Sequence, residues 1–554
     1  MMRRAPALFL LMLAPNFAWA EPMQVDLKST VLSNPTAYIP PQCYTKTEDA
    51  AGGVHNPCFT CHVSSRAPHY INDADLQTAY SFPEPALENP WTNLFVDRRA
   101  AVARVSDTEI LAYIRQGNYL DAAGTNLLAE RLEHLPPDWD VDGNGTWDGF
   151  TPDVAYNFDA EGFDIGADGQ MTGWRAFAYY PLNGAFWPTN GATDDVMIRL
   201  PDAYRQTEDG RESRSVYKVN LAITEALIRR APVPIEPTDE RPLGVDLDKD
   251  GTLGQALNIA FDWAPKEGRN MSYVGRARVL QAAGEAPLAA GLYPLGTEFL
   301  HTVRYIDVDE VTGQIRMAAR LKELRYMRKT RWQTYFDRQE GALAEAKERD
   351  SFPDRIALFF GSSEVGVSNG TGWRLQGFIE DATGDLRPQS FEETVFCIGC
   401  HGGVGANDDD TFAFPRKLAG TLGHGGWWHW SQRGLYDIPE MIRADGAPEY
   451  AHYLAENGAG DELRGNMEVI DRYLTETGDL RPDPVAAFRA DVSQLLYPSR
   501  KRALALNKAY REIVREQSFV KGRDATLTEQ ENVHRSVTPD QPTAITRPLT
   551  AWYD

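Results

Sequence analysis

The chain of 554 residues sets 56 Lys and Arg against 79 Asp and Glu, for a formal net charge of −23. So acidic a chain argues against nucleic acid and anionic membrane as partners; it suits a basic docking protein or plain solubility. With 42% hydrophobic and 11% aromatic residues it can build sizeable cores, and its length exceeds one ordinary domain.

Residues 1–20 read as a secretory leader. Arg3 and Arg4 form the positive end, 5–17 the apolar stretch, and Ala18, Trp19 and Ala20 a small-x-small cleavage site. The mature chain is expected to start at Glu21, in the periplasm or outside the cell. An uncleaved anchor would want a longer apolar run than one holding Pro6 and Pro15. No later segment looks apolar enough to span a bilayer, and no Cys follows the cleavage site, which argues against a lipid anchor.

Residues 21–135 form a first region. It opens extended, with Pro35, Pro40 and Pro41 ahead of a Cys58-Phe-Thr-Cys61-His62 run, and Pro68, Pro83, Pro85 and Pro90 keep the next stretch irregular. The segment 106–116 predicts a helix capped by Ser106, with Glu109 at the box position and Ile110, Leu111 and Ile114 on one face. A second short helix is expected over 126–134, ended by Pro136 and Pro137.

From 136 to 390 short aromatic and β-branched runs alternate with Gly and Asp turns, at 174–180, 196–200, 298–306, 356–360 and 373–379. This predicts a β-rich middle domain, with helices near 219–229 and 341–349. Residues 391–554 start Gly-rich around Cys397-Ile-Gly-Cys400-His401 and pass an aromatic cluster at Trp427, Trp428, His429 and Trp430. They then turn helical: Val485, Phe488, Val492 and Leu495 make a stripe behind Pro484, and 503–516 repeats it. Beyond about 523 an extended tail is expected. The predicted class is α+β, helical or irregular regions at both ends flanking a β-rich middle.

Cys-x-x-Cys-His is the attachment signature of c-type haem. Each thiol adds across a vinyl group, and the adjacent imidazole takes the iron. The run occurs twice, using four of five cysteines behind an export leader. Cys58, Cys61 and His62, and Cys397, Cys400 and His401, are then the attachment residues of two covalent haems. A structural zinc site would want further Cys or His at ligand spacing, and a redox dithiol has no need of the trailing His twice. For the opposite iron positions the choice among ten histidines is His69 over His55 and His134 at the first haem. At the second it is His429 over His424, with Met441 and Met467 behind. His429 is also the candidate catalytic acid–base group, walled from water by Trp427, Trp428 and Trp430. Cys43 is left over, as a buried thiol, an intermolecular disulfide site or a thiolate ligand.

Two acidic loops carry oxygen side chains at alternate positions and Gly at the sixth, as a calcium loop does. One holds Asp140, Asp142, Asn144 and Asp148, the other Asp246, Asp248 and Asp250. Thr151 and Leu257 stand where an EF-hand has its bidentate Glu, so an acid from elsewhere must complete each site. Arg320, Lys322, Arg325, Arg328, Lys329 and Arg331 form a basic run, read first as a solvated face and otherwise as a propionate, substrate or partner contact. Its periodicity fits a helix and a strand equally.

On its two motifs the chain resembles the dihaem c-type cytochromes. Gly372 and Trp373 in β-rich sequence leading into Cys397–His401 resemble, locally, the end of the cytochrome c′-beta group, whose haem position is open or reactive. The resemblance implies an exported dihaem electron carrier served by redox partner proteins. The alternative is a dihaem oxidoreductase in which one haem acts on a small-molecule substrate, giving the large middle region a purpose.

Overall fold

The computed structural model describes residues 25–546 apart from 29–31, 63–65, 71–77, 184–186, 403–407, 419–423, 444 and 461–462. The leader at 1–20 lies outside the described residues. The rest is a mixed α+β fold, with a large antiparallel sheet in the middle of the chain and helices towards both ends.

Ten strands make the sheet: β1 (Phe163–Ile165), β2 (Met171–Ala176), β3 (Thr193–Asp194), β4 (Met197–Arg199), β5 (Glu298–Val308), β6 (Ile315–Lys329), β7 (Phe360–Ser362), β8 (Gly366–Ser368), β9 (Trp373–Glu380) and β10 (Leu386–Pro388). Their order is β7-β8-β9-β6-β5-β4-β2-β1, with β10 beside β9 and β3 beside β5. The long β5–β6 hairpin is the centre. It pairs Phe299 with Met327, His301 with Arg325 and Val303 with Glu323. Side chains alternate faces along a strand. Leu300 and Leu324, with Trp174 and Phe378, therefore pack one face of the sheet against Leu128, Leu132 and Trp139. Phe299 and Met327 look the other way, into the largest core.

The basic run settles as strand β6, flanked on both edges by β5 and β9. The solvated-face reading fails there: Arg320, Lys322 and Lys329 are all buried. A central strand covered on both faces leaves its charged side chains no water, so each finds an internal partner. Arg320 meets Glu380, and Lys322 Nζ donates to the Gly191 carbonyl at 2.6 Å.

The helices that position the site are α1 (Cys58–Cys61), α2 (Asp107–Arg115), α3 (Leu127–Glu133), α4 (Arg214–Arg229), α5 (Tyr335–Ser351), α6 (Phe391–His401), α7 (Glu449–Asn457), α8 (Pro482–Ala490) and α9 (Arg500–Glu516). Ser106 caps α2 as its sequence demands, accepting from the Glu109 N–H at 3.1 Å. The extended C-terminal segment docks on the N-terminal region: the N–H of Lys46 donates to Asn532 and that of Tyr80 to Gln541, each at 2.9 Å. Among the described residues no helix is long and apolar enough to cross a membrane.

Candidate functional site

A partly open cavity lies between the β5–β6 face and the last turn of α6. Cys397, Cys400 and His401 line it together, from the helix side. α6 is built to deliver them. Ser390 and Glu393 form a full capping box, and Arg387 clamps Glu393 at 2.8 Å. Thiols three residues apart share one helical face. The second of the two residues between them is glycine for a steric reason: a Cβ at Gly399 would sit 2.3 Å from the Tyr38 carbonyl oxygen.

His401 is fixed by its far nitrogen. Its Nδ1 lies 2.8 Å from the Asp410 carbonyl oxygen, which only accepts, so Nδ1 carries the proton. Burial pushes the imidazole's pKa down, and the neutral ring then keeps its lone pair on Nε2. This is the tautomer and the outer hydrogen bond that metal-ligating histidines use. Two thiols and an oriented imidazole beside one large cavity fit covalent haem; the residues that would hold it are Cys397, Cys400 and His401.

The opposite wall is charged. His301 and Arg325, a directly paired set on β5 and β6, both face the cavity. Burial, then Arg325 and His401, push His301 down to about 3, so it too is neutral. Glu323, in contrast, is held at about 2: burial raises it, and Arg325 and Arg523 outweigh that. Asp194 is pushed up to about 8 by burial, and Lys322 down to about 7. Both line the cavity.

The distal histidines expected from sequence are engaged by other partners. His429 Nε2 bonds Asp195 at 3.0 Å and its Nδ1 bonds Ser431 at 2.6 Å, while Phe158 stacks on the ring. Both nitrogens are engaged, and neither His429 nor Trp427, Trp428 or Trp430 lines the cavity. The tryptophans pack the main core instead. His69 accepts from the Asp409 N–H at 2.7 Å through Nε2, the nitrogen a haem would need. Sequence reading missed His301 because a lone His on a strand, remote from both motifs, gives no local signal. Its register opposite Arg325 shows only once β5 and β6 pair.

The first motif is built differently. Cys58–Cys61 is a single turn, ended at His62, whose N–H donates to Cys58 at 2.7 Å. Phe59 enters the core edge-on to His452 of α7, at 5.8 Å. Segments 63–65 and 71–77 beside it lie outside the described residues.

Both acidic loops find their completing acid. Glu364 joins Asp140 and Asp142, and Glu240 joins Asp246 and Asp248, each set with carboxylate oxygens within 4.8 Å of one another. The loops share one local geometry: the Gly145 and Gly251 N–H groups donate to Asp140 and Asp246, each at 3.0 Å. Glu364 is not foreseeable from its loop, since it arrives from beyond β7, whereas Glu240 stands just ahead of Asp246 in sequence.

Comparison with known proteins corrects the family resemblance. A "-like lipoprotein" family matches residues 27–485. An uncharacterized lipoprotein of Aquifex aeolicus (strain VF5) is 29% identical over 546 residues, 89% of this chain and 86% of that protein. No solved structure matches significantly. The family found is not one of c-type cytochromes, which overturns the likeness to the dihaem cytochromes and to the cytochrome c′-beta group and gives no support to the haem and electron-transport labels that came with it. Lipoproteins are exported, in keeping with an exported chain. The chain belongs to this lipoprotein-like family.

Proposed function

We propose that the chain is an exported, periplasmic redox protein that carries haem covalently on Cys397 and Cys400, with His401 as axial ligand, and a second haem on Cys58, Cys61 and His62. The observation that carries this reading is the second motif's geometry: both thiols and a correctly oriented imidazole on one wall of a large cavity. Bound haem supplies one-electron chemistry. The chain's own residues set the environment: Phe299, Val303 and Phe396 exclude water, and Arg325 and Arg523 bring positive charge to balance propionates. The acidic surface suits a basic redox partner.

A second reading, in which the His401 haem acts on a small molecule, is favoured by Asp194 and Lys322. Their pKa values, about 8 and about 7, bracket neutrality, so both exchange protons at working pH beside the cavity. Calcium at the two completed acidic loops belongs to the same proposal, as a brace rather than a reagent.

The test is the reduced absorption spectrum in alkaline pyridine of protein exported through a c-type maturation system. Two haems per chain are expected, falling to one in Cys397→Ala/Cys400→Ala and to one in Cys58→Ala/Cys61→Ala. Folded protein without haem absorption contradicts the proposal.

A further inference from the structure

Behind His401 lies a buried ionic cage. Asp409 and Asp410 are fully buried, and both take left-handed backbone, at φ 52° and 62°. Non-glycine residues hold such a conformation most securely where the surroundings over-determine it. Here they do. Lys329 and Arg338 both bind the Asp409 carboxylate. Thr371 donates to the Asp410 carboxylate at 2.5 Å. The Asp409 N–H is taken by His69 Nε2 at 2.7 Å. The product of this strained turn is one carbonyl, that of Asp410, aimed at His401 Nδ1 at 2.8 Å.

We infer that this cage is the positioning device of His401, and that His69, from the loop after the first motif, is the part that ties it to the other half of the site. The cage sets the imidazole's rotation and tautomer, which leaves Nε2 facing the cavity. A hydrogen bond at Nδ1 also makes the ring a stronger donor, which favours oxidised iron and lowers the potential. His69 is here an acceptor and not an iron ligand. The role in tuning a metal rests on the proposed haem; the role in fixing the ring does not.

The two are separated by experiment. In full-length chain made without haem, nitrogen-15 resonances of labelled histidine should show His401 as the Nδ1-protonated tautomer. His69→Leu should convert it to a mixture, and His69→Gln, which restores an acceptor for the Asp409 N–H, should recover it. In haem-loaded chain the potential of the His401 haem should rise in His69→Leu and return in His69→Gln. Thr371→Val, a milder change, should shift both readouts the same way and covers the case in which His69→Leu does not fold. An unaltered His401 tautomer in folded His69→Leu or Thr371→Val overturns the inference. Absence of haem with the tautomer shift present leaves the inference standing and removes the proposed function.

Discussion

The two Cys-x-x-Cys-His runs are alike as sequence and unlike as structure. The second ends an eleven-residue capped helix, its thiols open on a large cavity and its imidazole is braced by a strained, ion-caged turn. The first is one four-residue turn whose Phe59 is spent on the core. The pentapeptide supplies two thiols and an imidazole; the wall, the orientation and the neighbouring charge come from β5, β6 and residues 409–410, hundreds of positions away from the first motif.

That contrast can be broken most forcefully at the cysteines. Cys397→Ala/Cys400→Ala is expected to abolish all absorption from the cavity haem while the first motif keeps its own, and equal loss from both sites would show that they are not independent. The cage comes next. Lys329→Met leaves the buried Asp409 carboxylate with Arg338 and the Tyr293 N–H, and breaking a buried ion pair from one side costs about 3–5 kcal/mol. A chemical-denaturation midpoint should fall accordingly, whereas Arg331→Met, at the exposed end of the same basic run, should leave it within about 0.5 kcal/mol.

Calcium offers a parallel comparison, because the two acidic loops share a local geometry and differ in where their completing Glu originates. At a hundredfold excess over its dissociation constant, calcium should stabilise the fold by about 2.7 kcal/mol per site. Glu240→Gln and Glu364→Gln should each remove one site's share in thermal melts, and melts unmoved by calcium or chelator would contradict both sites.

The most gradual effect is acid sensitivity, spread over several pH units. Burial and the nearby Arg338 hold His69 at about 3, against an ordinary 6.5. The unfolded chain therefore binds the extra proton first. The His69 contribution is intact above pH 6.5 and is lost as pH falls from there towards 3, at about 1.4 kcal/mol per unit of pH. Stability should drop between pH 6.5 and 5, with a shallower slope in His69→Gln; identical slopes would contradict the placement.

How much of this was legible in the sequence follows from range. Local signals held: Ser106 capping α2, Pro at the start of α8, the alternation of β4, β5 and β9. The two Cys-x-x-Cys-His runs are likewise local, five residues long. Distal groups were not. His429 sat near the second motif in sequence and among tryptophans, yet Asp195 claims it from the short link between β3 and β4. His301 carried no signal until its register with Arg325 was set. The basic run misled for the same reason: charge in a chain reads as solvent-facing, and only a strand paired on both edges buries it beside Glu380 and Asp409.

The central proposal is that the cavity beside α6 holds a covalently attached haem. Intact-mass measurement of the exported chain, made with a c-type maturation system and denatured before analysis, tests it most directly. The account predicts the mass of the polypeptide plus two haems, reduced by one in Cys397→Ala/Cys400→Ala; a mass equal to the bare polypeptide would contradict it.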